Sequence, residues 1–237
     1  MSARHTKYPS FQQKIIIIVG GYGSGKSEIA VNLSCYLAES ETEPVTIADL
    51  DIVNPYFRSR EAFEMLARLG IRSIIPPGEQ RYSELPIILP EIRGSIEHCQ
   101  GWLVLDVGGD DVGARVLSSL SDAFEAGAYE MLLVLNANRP FTSDAAGSRR
   151  MITDIEASSR LRFTGLISNT HLMDQTTVAE IERGLVLAES VGELTGLPIC
   201  FCSATEDLVA KFDPKNFHVP VLPLRRQLVK PWEHRTG

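Results

Sequence analysis

The stretch Gly20-Gly21-Tyr22-Gly23-Ser24-Gly25-Lys26-Ser27 decides the fold, because it matches the phosphate-loop pattern G-x-x-x-x-G-K-S/T in full. The apolar run KIIIIV ends just before it at Val19, and a segment of helical periodicity, residues 26–39, follows it. Glycines in such a loop let successive backbone N–H groups converge on phosphate oxygens, and the N-terminus of the next helix adds partial positive charge. The sequence therefore predicts a phosphate site between the first strand and the first helix.

Each polar residue type in this loop has a defined chemistry. Lys26 is predicted to bridge the β- and γ-phosphates as a point charge, which makes it a catalytic as well as a binding residue, and the Ser27 hydroxyl is predicted to ligate Mg²⁺. The other contacts to the nucleotide are predicted from the loop and the first helical turn: Gly21, Tyr22, Gly23, Ser24, Gly25 and Glu28. A glycine-rich turn without a ligand is the alternative, and the complete motif with its flanking elements disfavours it.

Composition places the chain among ordinary globular proteins. Of its 237 residues, 44% are hydrophobic and 22% are charged, which excludes a disordered, collagen-like or coiled-coil chain. The net charge of −7 gives no overall field that favours nucleic acid, so no nucleic-acid partner is expected. Four cysteines are too few for a disulfide scaffold. No apolar run approaches the length of a membrane span, and the first ten residues lack the apolar region of a signal peptide, so a cytoplasmic location is expected.

Short apolar runs alternate with segments of helical period along the chain. The runs are continuous, as in strands buried on both faces of a parallel sheet. They are Lys14–Val19, Val45–Asp49, Ile71–Ile75, Trp102–Val107, Met131–Leu135, Phe163–Ser168 and Leu197–Cys202. Helical periodicity is clear in residues 26–39, 57–69 and 176–193. This pattern predicts an α/β protein with a doubly wound, mainly parallel sheet of about seven strands between two helical layers, a three-layer α/β/α P-loop NTPase.

The sequence predicts one nucleotide-binding domain over residues 1–237. Its core covers about residues 14–205, and residues 217–237 form a tail that docks on the domain. Residues 76–93 carry four prolines and are predicted not to form one long helix. In the tail, Leu224, Leu228 and Trp232 recur at helical spacing beside three cations, but the segment is short and Pro231 interrupts it. Membrane binding is therefore not expected.

Two carboxylate motifs follow predicted strands. Asp106 ends the run from Trp102 and is predicted to hold Mg²⁺ through water, with Gly108 or Gly109 offering a backbone N–H to the γ-phosphate. Asp49 and Asp51 follow the second strand and point to one side, so Asp49 is assigned to the Mg²⁺ shell and Asp51 to the attacking water. The alternatives are a turn-capping carboxylate at Asp106 and two solvated carboxylates after the second strand.

These three motifs, in this order, resemble the MinD/ParA/CobQ-type P-loop ATPases over about residues 14–205. The resemblance implies a single-domain α/β NTPase, whose members often dimerise on ATP, and thus a nucleotide-dependent homodimer. Members with a cross-dimer active site have the loop K-G-G-x-G-K-S/T, whereas Gly21 stands at the first lysine and Tyr22 at the next glycine. Arg58 and Arg60 are candidates for the missing positive charge, and solvated or ion-paired arginines are the alternative.

The residues after the predicted strand Phe163–Ser168 bear on the choice of base. Guanine-reading proteins carry N-K-x-D there. This chain keeps Asn169 but has Thr170 in place of the lysine and Leu172 in place of the acid, which favours ATP over GTP. In the resembled family an asparagine here contacts adenine, and a turn asparagine is the alternative. Ser203-Ala204-Thr205 is predicted on the other side of the base. Cys200 and Cys202 are interpreted as small buried side chains.

The motifs together predict an ATP-binding protein that has slow, Mg²⁺-dependent ATPase activity. Its ligands would be ATP, ADP and Mg²⁺, and it would act on a protein partner as a nucleotide-controlled switch or assembly factor. An alternative is an ATP-dependent ligase or transferase that activates a small carboxylate, with residues 76–93 as a substrate lid. A nucleotide-binding module without catalysis is a third hypothesis.

Overall fold

Strands and helices alternate along the chain. In the computed structural model the described residues are 8–51, 60–75, 81–213 and 217–225, with the backbone alone described for 60–63 and 81–88. The strands are β1 (Ile15–Gly20), β2 (Val45–Asp49), β3 (Arg72–Ile74), β4 (Trp102–Gly108), β5 (Tyr129–Leu135), β6 (Gly165–Ser168), β7 (Ile199–Thr205) and β8 (Val221–Leu224). The helices are α1 (Lys26–Ser40), α2 (Arg60–Arg68), α3 (Arg81–Glu97), α4 (Asp111–Leu120), α5 (Ala145–Ser159), α6 (Val178–Thr195) and α7 (Glu206–Val209).

All eight strands form one parallel sheet in the order β3-β2-β4-β1-β5-β6-β7-β8. The α/β fold with a doubly wound parallel sheet is thus confirmed, with eight strands where about seven were predicted. After β1 the chain skips a position to form β2 and later returns to place β4 between them. Ligands of such sheets bind at the carboxyl ends of the strands near this reversal, which is where the phosphate loop begins.

Alternation along β1 explains why the sheet is covered on both faces. Ile15, Ile17 and Val19 pack on one face with residues of α3, α4, α5 and α6. Ile16 and Ile18 pack on the other face with residues of α1 and α2. Because both faces are apolar, polar side chains gather at the strand ends, and the nucleotide-site candidates lie there.

Helix α3 departs from the sequence prediction. Its 17 residues include Pro86 and Pro90, although the prolines of residues 76–93 were taken to exclude a long helix. Each interior proline costs about 3 kcal/mol of helix stability. Ile92 and Ile96 are buried against the sheet, and this packing outweighs the local preference. Residues 76–80 lie outside the described part of the chain, so the hypothesis of a substrate lid over residues 76–93 remains a prediction.

The C-terminal segment contributes a strand. Val221 and Leu222 in β8 are buried, and β8 pairs with β7 at one edge of the sheet. Residues 226–237 lie outside the described residues, so the predicted docking of the tail is seen here only up to Arg225. Within the described ranges, no helix has the length and hydropathy needed to cross a membrane.

Candidate functional site

The phosphate loop joins β1 to α1 through a turn that requires glycine. The Ser24 N–H donates to the Gly21 carbonyl at 3.0 Å, and Gly25 caps α1 with φ 87°, a left-handed conformation. A Cβ on Gly25 would lie 2.3 Å from Nδ2 of Asn169, so that position excludes every other residue. The N-terminus of α1, which begins at Lys26, therefore opens directly onto the loop.

A buried charge cluster lies beside this loop. Lys26 forms an ion pair with Asp51, and their side chains are 4% and 5% exposed. Asp49 accepts a hydrogen bond from the Asp51 N–H at 2.9 Å, which fixes the turn after β2. The register of the sheet pairs Asp49 with Asp106, which is fully buried. Adjacent parallel strands thus bring together the three carboxylates that the sequence placed at strand ends.

Burial and charge act against each other in this cluster. Burial lowers the pKa of Lys26 and is the largest single effect, but Asp106, Asp51 and Asp49 together outweigh it, so the pKa is raised. For Asp106, burial raises the pKa to about 6, while Lys26 and the nearby Ser27 hydroxyl act in the opposite direction. One ammonium group therefore faces three buried or nearly buried carboxylates.

The cluster has the donor chemistry of a magnesium site. Both carboxylate oxygens of Asp106 are buried and accept no hydrogen bond of normal geometry within the described residues. The described residues hold no group of three or more His, Cys, Asp or Glu side chains arranged to bind a metal unaided. Mg²⁺ usually takes one or two carboxylates and completes its shell with water and phosphate oxygens. Asp106 and Ser27 fit this pattern, and Asp49 lies within the same cluster.

The two glycines after Asp106 lie against the phosphate loop. The Gly109 N–H donates to the Gly20 carbonyl at 3.0 Å, and a Cβ on Gly109 would lie 2.6 Å from the Gly20 carbonyl carbon. A Cβ on Gly108 would lie 3.4 Å from an Asp51 carboxylate oxygen. The Gly109 N–H predicted for the γ-phosphate is therefore engaged with Gly20 here and must leave that carbonyl before it can bind phosphate.

A cavity of about 390 Å³ opens beside the loop. On the loop side it is lined by Tyr22, Gly23, Gly25, Lys26, Ser27 and Glu28. On the opposite side it is lined by Asn169 and by Ser203, Ala204 and Thr205, as the sequence analysis proposed for the base. Ile181, Leu208 and Leu224 add apolar surface at this side. The cavity has the volume of a small-molecule site and combines an apolar wall with polar and charged side chains.

Asn169 links this cavity to the phosphate loop. Its Nδ2 donates to the Ser24 carbonyl at 2.7 Å, and its Oδ1 accepts from the Ser203 hydroxyl at 2.9 Å. Thr170, which stands where a lysine was sought, accepts a hydrogen bond from the Ala137 N–H. Leu172 is 42% exposed and is not among the described residues that line the cavity.

Among the described residues that line the cavity, sequence reasoning missed three with ionisable side chains: Arg139, His171 and Asp174. Arg139 follows β5, which pairs with β1, the strand that leads into the phosphate loop. Its position after this strand could have predicted that it lies near the loop. Asp174 lies two residues after Leu172, the position at which guanine-reading proteins carry an acid. Burial, and to a smaller extent the positive charge of Arg139, lower the pKa of His171 to about 4, so its imidazole is neutral at physiological pH.

The remaining predicted residues are not among the described residues that line the cavity. Arg58 is outside the described residues, and Arg60 begins α2 without a described side chain. Gly21 and Ser24 shape the loop without lining the cavity. Cys200 and Cys202 are free thiols in β7, and burial raises their pKa values to about 11 and about 12. Cys202 is buried, as expected, whereas Cys200 is only half-buried.

Comparison with solved structures supports the fold. FtsY from Mycoplasma mycoides matches with 19% identity and a TM-score of 0.51, over 82% of this chain and 61% of that one. Chloroplast FtsY from Physcomitrella patens matches with 18% identity and a TM-score of 0.55, over 91% of this chain and 67% of that one. FlhF complexed with GTP and Mg²⁺ matches with 14% identity and a TM-score of 0.52, over 82% and 66%.

These neighbours are P-loop NTPases, and identities this low establish the shared fold alone. The chain spans 61% to 67% of the length of the three neighbours. None of the three is a MinD or ParA protein, so the comparisons establish the P-loop NTPase fold rather than the finer family resemblance. No protein-family profile and no curated protein sequence matches the chain.

Asp106→Asn is expected to raise the free energy of unfolding of the protein at pH 8 without nucleotide or metal. Because the folded-state pKa of Asp106 is raised to about 6, its charged form destabilises the fold above that pH. Protonation relieves this penalty as the pH falls toward the unfolded-state pKa of about 4. The advantage of the variant should therefore shrink between pH 7 and pH 4.

Urea unfolding in the presence of EDTA, repeated across this pH range, measures the effect. Asp154→Asn on the exposed side of α5 is the matched control and should change stability by less than about 0.5 kcal/mol. A variant that is less stable than the wild type at pH 8 would contradict the prediction.

Proposed function

We propose that this protein is a Mg²⁺-dependent nucleotide-controlled switch or assembly factor that binds ATP and hydrolyses it slowly. The observation that carries this proposal is the cluster of Lys26, Asp51 and Asp106 beside a complete phosphate loop and an open cavity. A phosphate loop alone would bind an anion, whereas the adjoining carboxylates supply what a metal–phosphate complex needs. The fold shared with nucleotide-binding neighbours supports the same class of ligand.

Binding would begin at the loop and at the N-terminus of α1. Their backbone N–H groups would receive phosphate oxygens, and Lys26 would exchange its ion pair with Asp51 for the phosphates. Ser27 and Asp106 would hold Mg²⁺, directly or through water, with Asp49 in the surrounding shell. The metal ion would supply charge neutralisation between the β- and γ-phosphates.

Asp51 is the residue we assign to hydrolysis. Once Lys26 turns to the phosphates, the carboxylate of Asp51 would be able to orient a water molecule and accept its proton. Its position at the end of β2, 6% exposed, keeps bulk water away from this reaction. Under this assignment, the ion pair with Lys26 keeps the carboxylate of Asp51 from acting as a base until nucleotide binds.

Adenine is our proposal for the base, because Thr170 and Leu172 replace the residues with which a guanine-reading loop is built. One observation favours guanine instead. Asp174 lines the cavity close to Asn169, and FlhF, a structural neighbour, binds GTP with Mg²⁺. The two bases can be distinguished directly by competition.

A protein partner at the mouth of the site is also part of the proposal. Tyr22 and Phe141 are each 72% exposed, and Met173 is 45% exposed. Tyr22 follows β1, Phe141 follows β5 and Met173 follows β6, and these three strands are neighbours in the sheet. All three side chains therefore lie at the carboxyl edge of the sheet, where nucleotide would bind. A second copy of this chain or another protein would bury these side chains in a nucleotide-dependent manner.

Lys26→Ala is expected to abolish the rise in melting temperature that Mg²⁺ and ATP give to the wild-type protein. The substitution removes the charge that would bridge the phosphates. It also leaves buried carboxylates without their ammonium partner, so the free protein should itself lose stability. The measurement is therefore the shift on adding nucleotide, by differential scanning fluorimetry, and not the absolute melting temperature.

Lys211→Ala, on an exposed side chain, is the control and should keep the wild-type shift. An undiminished shift in Lys26→Ala would refute phosphate binding at this loop.

Asp51→Ala is expected to slow hydrolysis at least tenfold while ATP affinity stays within a few-fold of the wild type or improves. Without Asp51, Lys26 has one fewer competitor for the phosphates, so binding should not suffer. Single-turnover hydrolysis beside calorimetric affinity separates the two effects. Normal turnover per bound nucleotide would show that Asp51 does not support the chemical step.

Competition binding against a fluorescent nucleotide is expected to rank ATP above GTP, because neither Thr170 nor Leu172 can read guanine as a lysine and an acid would. Asp174→Asn should leave this ranking unchanged, since the proposal gives its carboxylate no contact to adenine. If GTP instead binds more tightly, and Asp174→Asn removes that preference, adenine is wrong and Asp174 is the residue that reads guanine.

A further inference from the structure

Arg139 belongs to a loop after β5 whose backbone is held in place from within. Its N–H donates to the Asn136 carbonyl at 3.0 Å. The Thr142 hydroxyl donates to the same carbonyl at 2.9 Å and accepts from the Asn136 N–H at 3.3 Å. Asn136 and Thr142 are both buried. The backbone at Arg139 is therefore fixed before any ligand arrives.

From this loop the Arg139 side chain reaches the phosphate loop. Its Nε donates to the Gly23 carbonyl at 2.8 Å. Gly23 has φ 74°, and a Cβ there would lie 2.7 Å from the guanidinium carbon. The guanidinium group thus packs directly on the Gly23 backbone, and only glycine allows this approach without displacing it. The group also lines the cavity described above.

No carboxylate among the described residues forms an ion pair with Arg139. Among the described residues that line the cavity, Lys26 and Arg139 are the two cations. Lys26 is paired with Asp51, whereas Arg139 forms no ion pair in the part of the chain that the structure describes. His171 is neutral, so it adds no charge of its own. Two carboxylate side chains of the described residues also line the cavity, those of Glu28 and Asp174. Neither forms an ion pair with the guanidinium group, so Arg139 presents a positive group toward the cavity from the outer side of the phosphate loop.

We propose that Arg139 binds the phosphate chain of the nucleotide from within the same chain and supplies positive charge on the outer side of the phosphate loop. This rests on the proposed nucleotide-binding function. With Nε engaged by Gly23, the four N–H groups on the two terminal nitrogens remain to donate to phosphate oxygens. A planar guanidinium anchored at Nε suits this contact, because its fork matches two phosphate oxygens.

Two other roles for Arg139 predict different measurements. A residue that only anchors the phosphate loop would affect ADP and ATP equally and AMP little, because the loop binds the β-phosphate that ADP and ATP share. A contact to the base or ribose would affect AMP, ADP and ATP equally, since these groups are common to the three ligands. A contact to the phosphate chain alone makes the loss grow with the number of phosphates.

The test is isothermal titration of AMP, ADP and ATP, each with Mg²⁺, into the wild type, Arg139→Gln, Arg139→Lys and Arg150→Gln. Arg139→Gln should weaken ATP binding about tenfold or more, as expected for a lost hydrogen bond between charged groups, and ADP binding less, with AMP within about twofold. Arg139→Lys should recover part of the ATP affinity because it keeps the charge. Arg150→Gln removes the same charge from the exposed side of α5 and should match the wild type.

The slope of ATP affinity against salt concentration adds a second readout, and it should become shallower in Arg139→Gln alone. Equal losses for ADP and ATP, whether or not AMP binding changes, or unchanged ATP affinity, would overturn the proposal while leaving the proposed function intact. A wild-type protein that binds none of the three would overturn the proposed function and this proposal with it.

Discussion

The ion pair between Lys26 and Asp51 is the contact on which the arrangement of the site depends. It is buried at the carboxyl ends of adjacent strands, where Asp106 and Asp49 add negative charge that water cannot screen. Removing one partner of such a pair generally costs about 3–5 kcal/mol, because the other charge is left buried without compensation. The register that pairs Asp49 with Asp106 places two carboxylates side by side, and the ammonium group of Lys26 offsets part of their charge. A cation or a phosphate that enters here changes the balance of the whole cluster.

The opposite side of the phosphate loop depends on contacts of another kind. Arg139 holds the Gly23 carbonyl and Asn169 holds the Ser24 carbonyl, from the ends of β5 and β6. Two consecutive carbonyls are thus fixed toward the domain. Since the N–H groups of a phosphate loop must converge on one point, fixing the carbonyls limits the conformations that the loop can adopt before phosphate arrives. The loop is preorganised by residues more than a hundred positions away in sequence, which links its geometry to the correct order of the strands.

The distance in sequence also explains what could be predicted and what could not. Gly20–Ser27, Asp49, Asp51 and Asp106 carry local patterns, namely a motif and strand ends, and the structure brings them together as the sheet topology requires. The Arg139 contact spans 116 residues and has no local pattern beyond its position after β5. Helix α3 forms despite two prolines because its buried isoleucines pack against the sheet. Helix propensity, which depends on local sequence, does not include the free energy of this packing. Strand β8 was taken for tail because it is short and contains Pro223, which an edge strand tolerates.

In the function proposed above, a single ammonium group with two classes of anionic partner would provide the basis for switching. In the free protein Lys26 pairs with Asp51, and in a nucleotide complex it would pair with phosphate, so the two states would differ in which anion is left to water or metal. A ligand shifts an equilibrium only by the difference in its interaction with the two states. The Leu50 N–H donates to the Asp106 carbonyl at 2.8 Å, so the residue before Asp51 is joined directly to the strand that carries Asp106. Exchanging the partner of Lys26 would therefore change the charge balance beside both carboxylates without requiring the sheet to move.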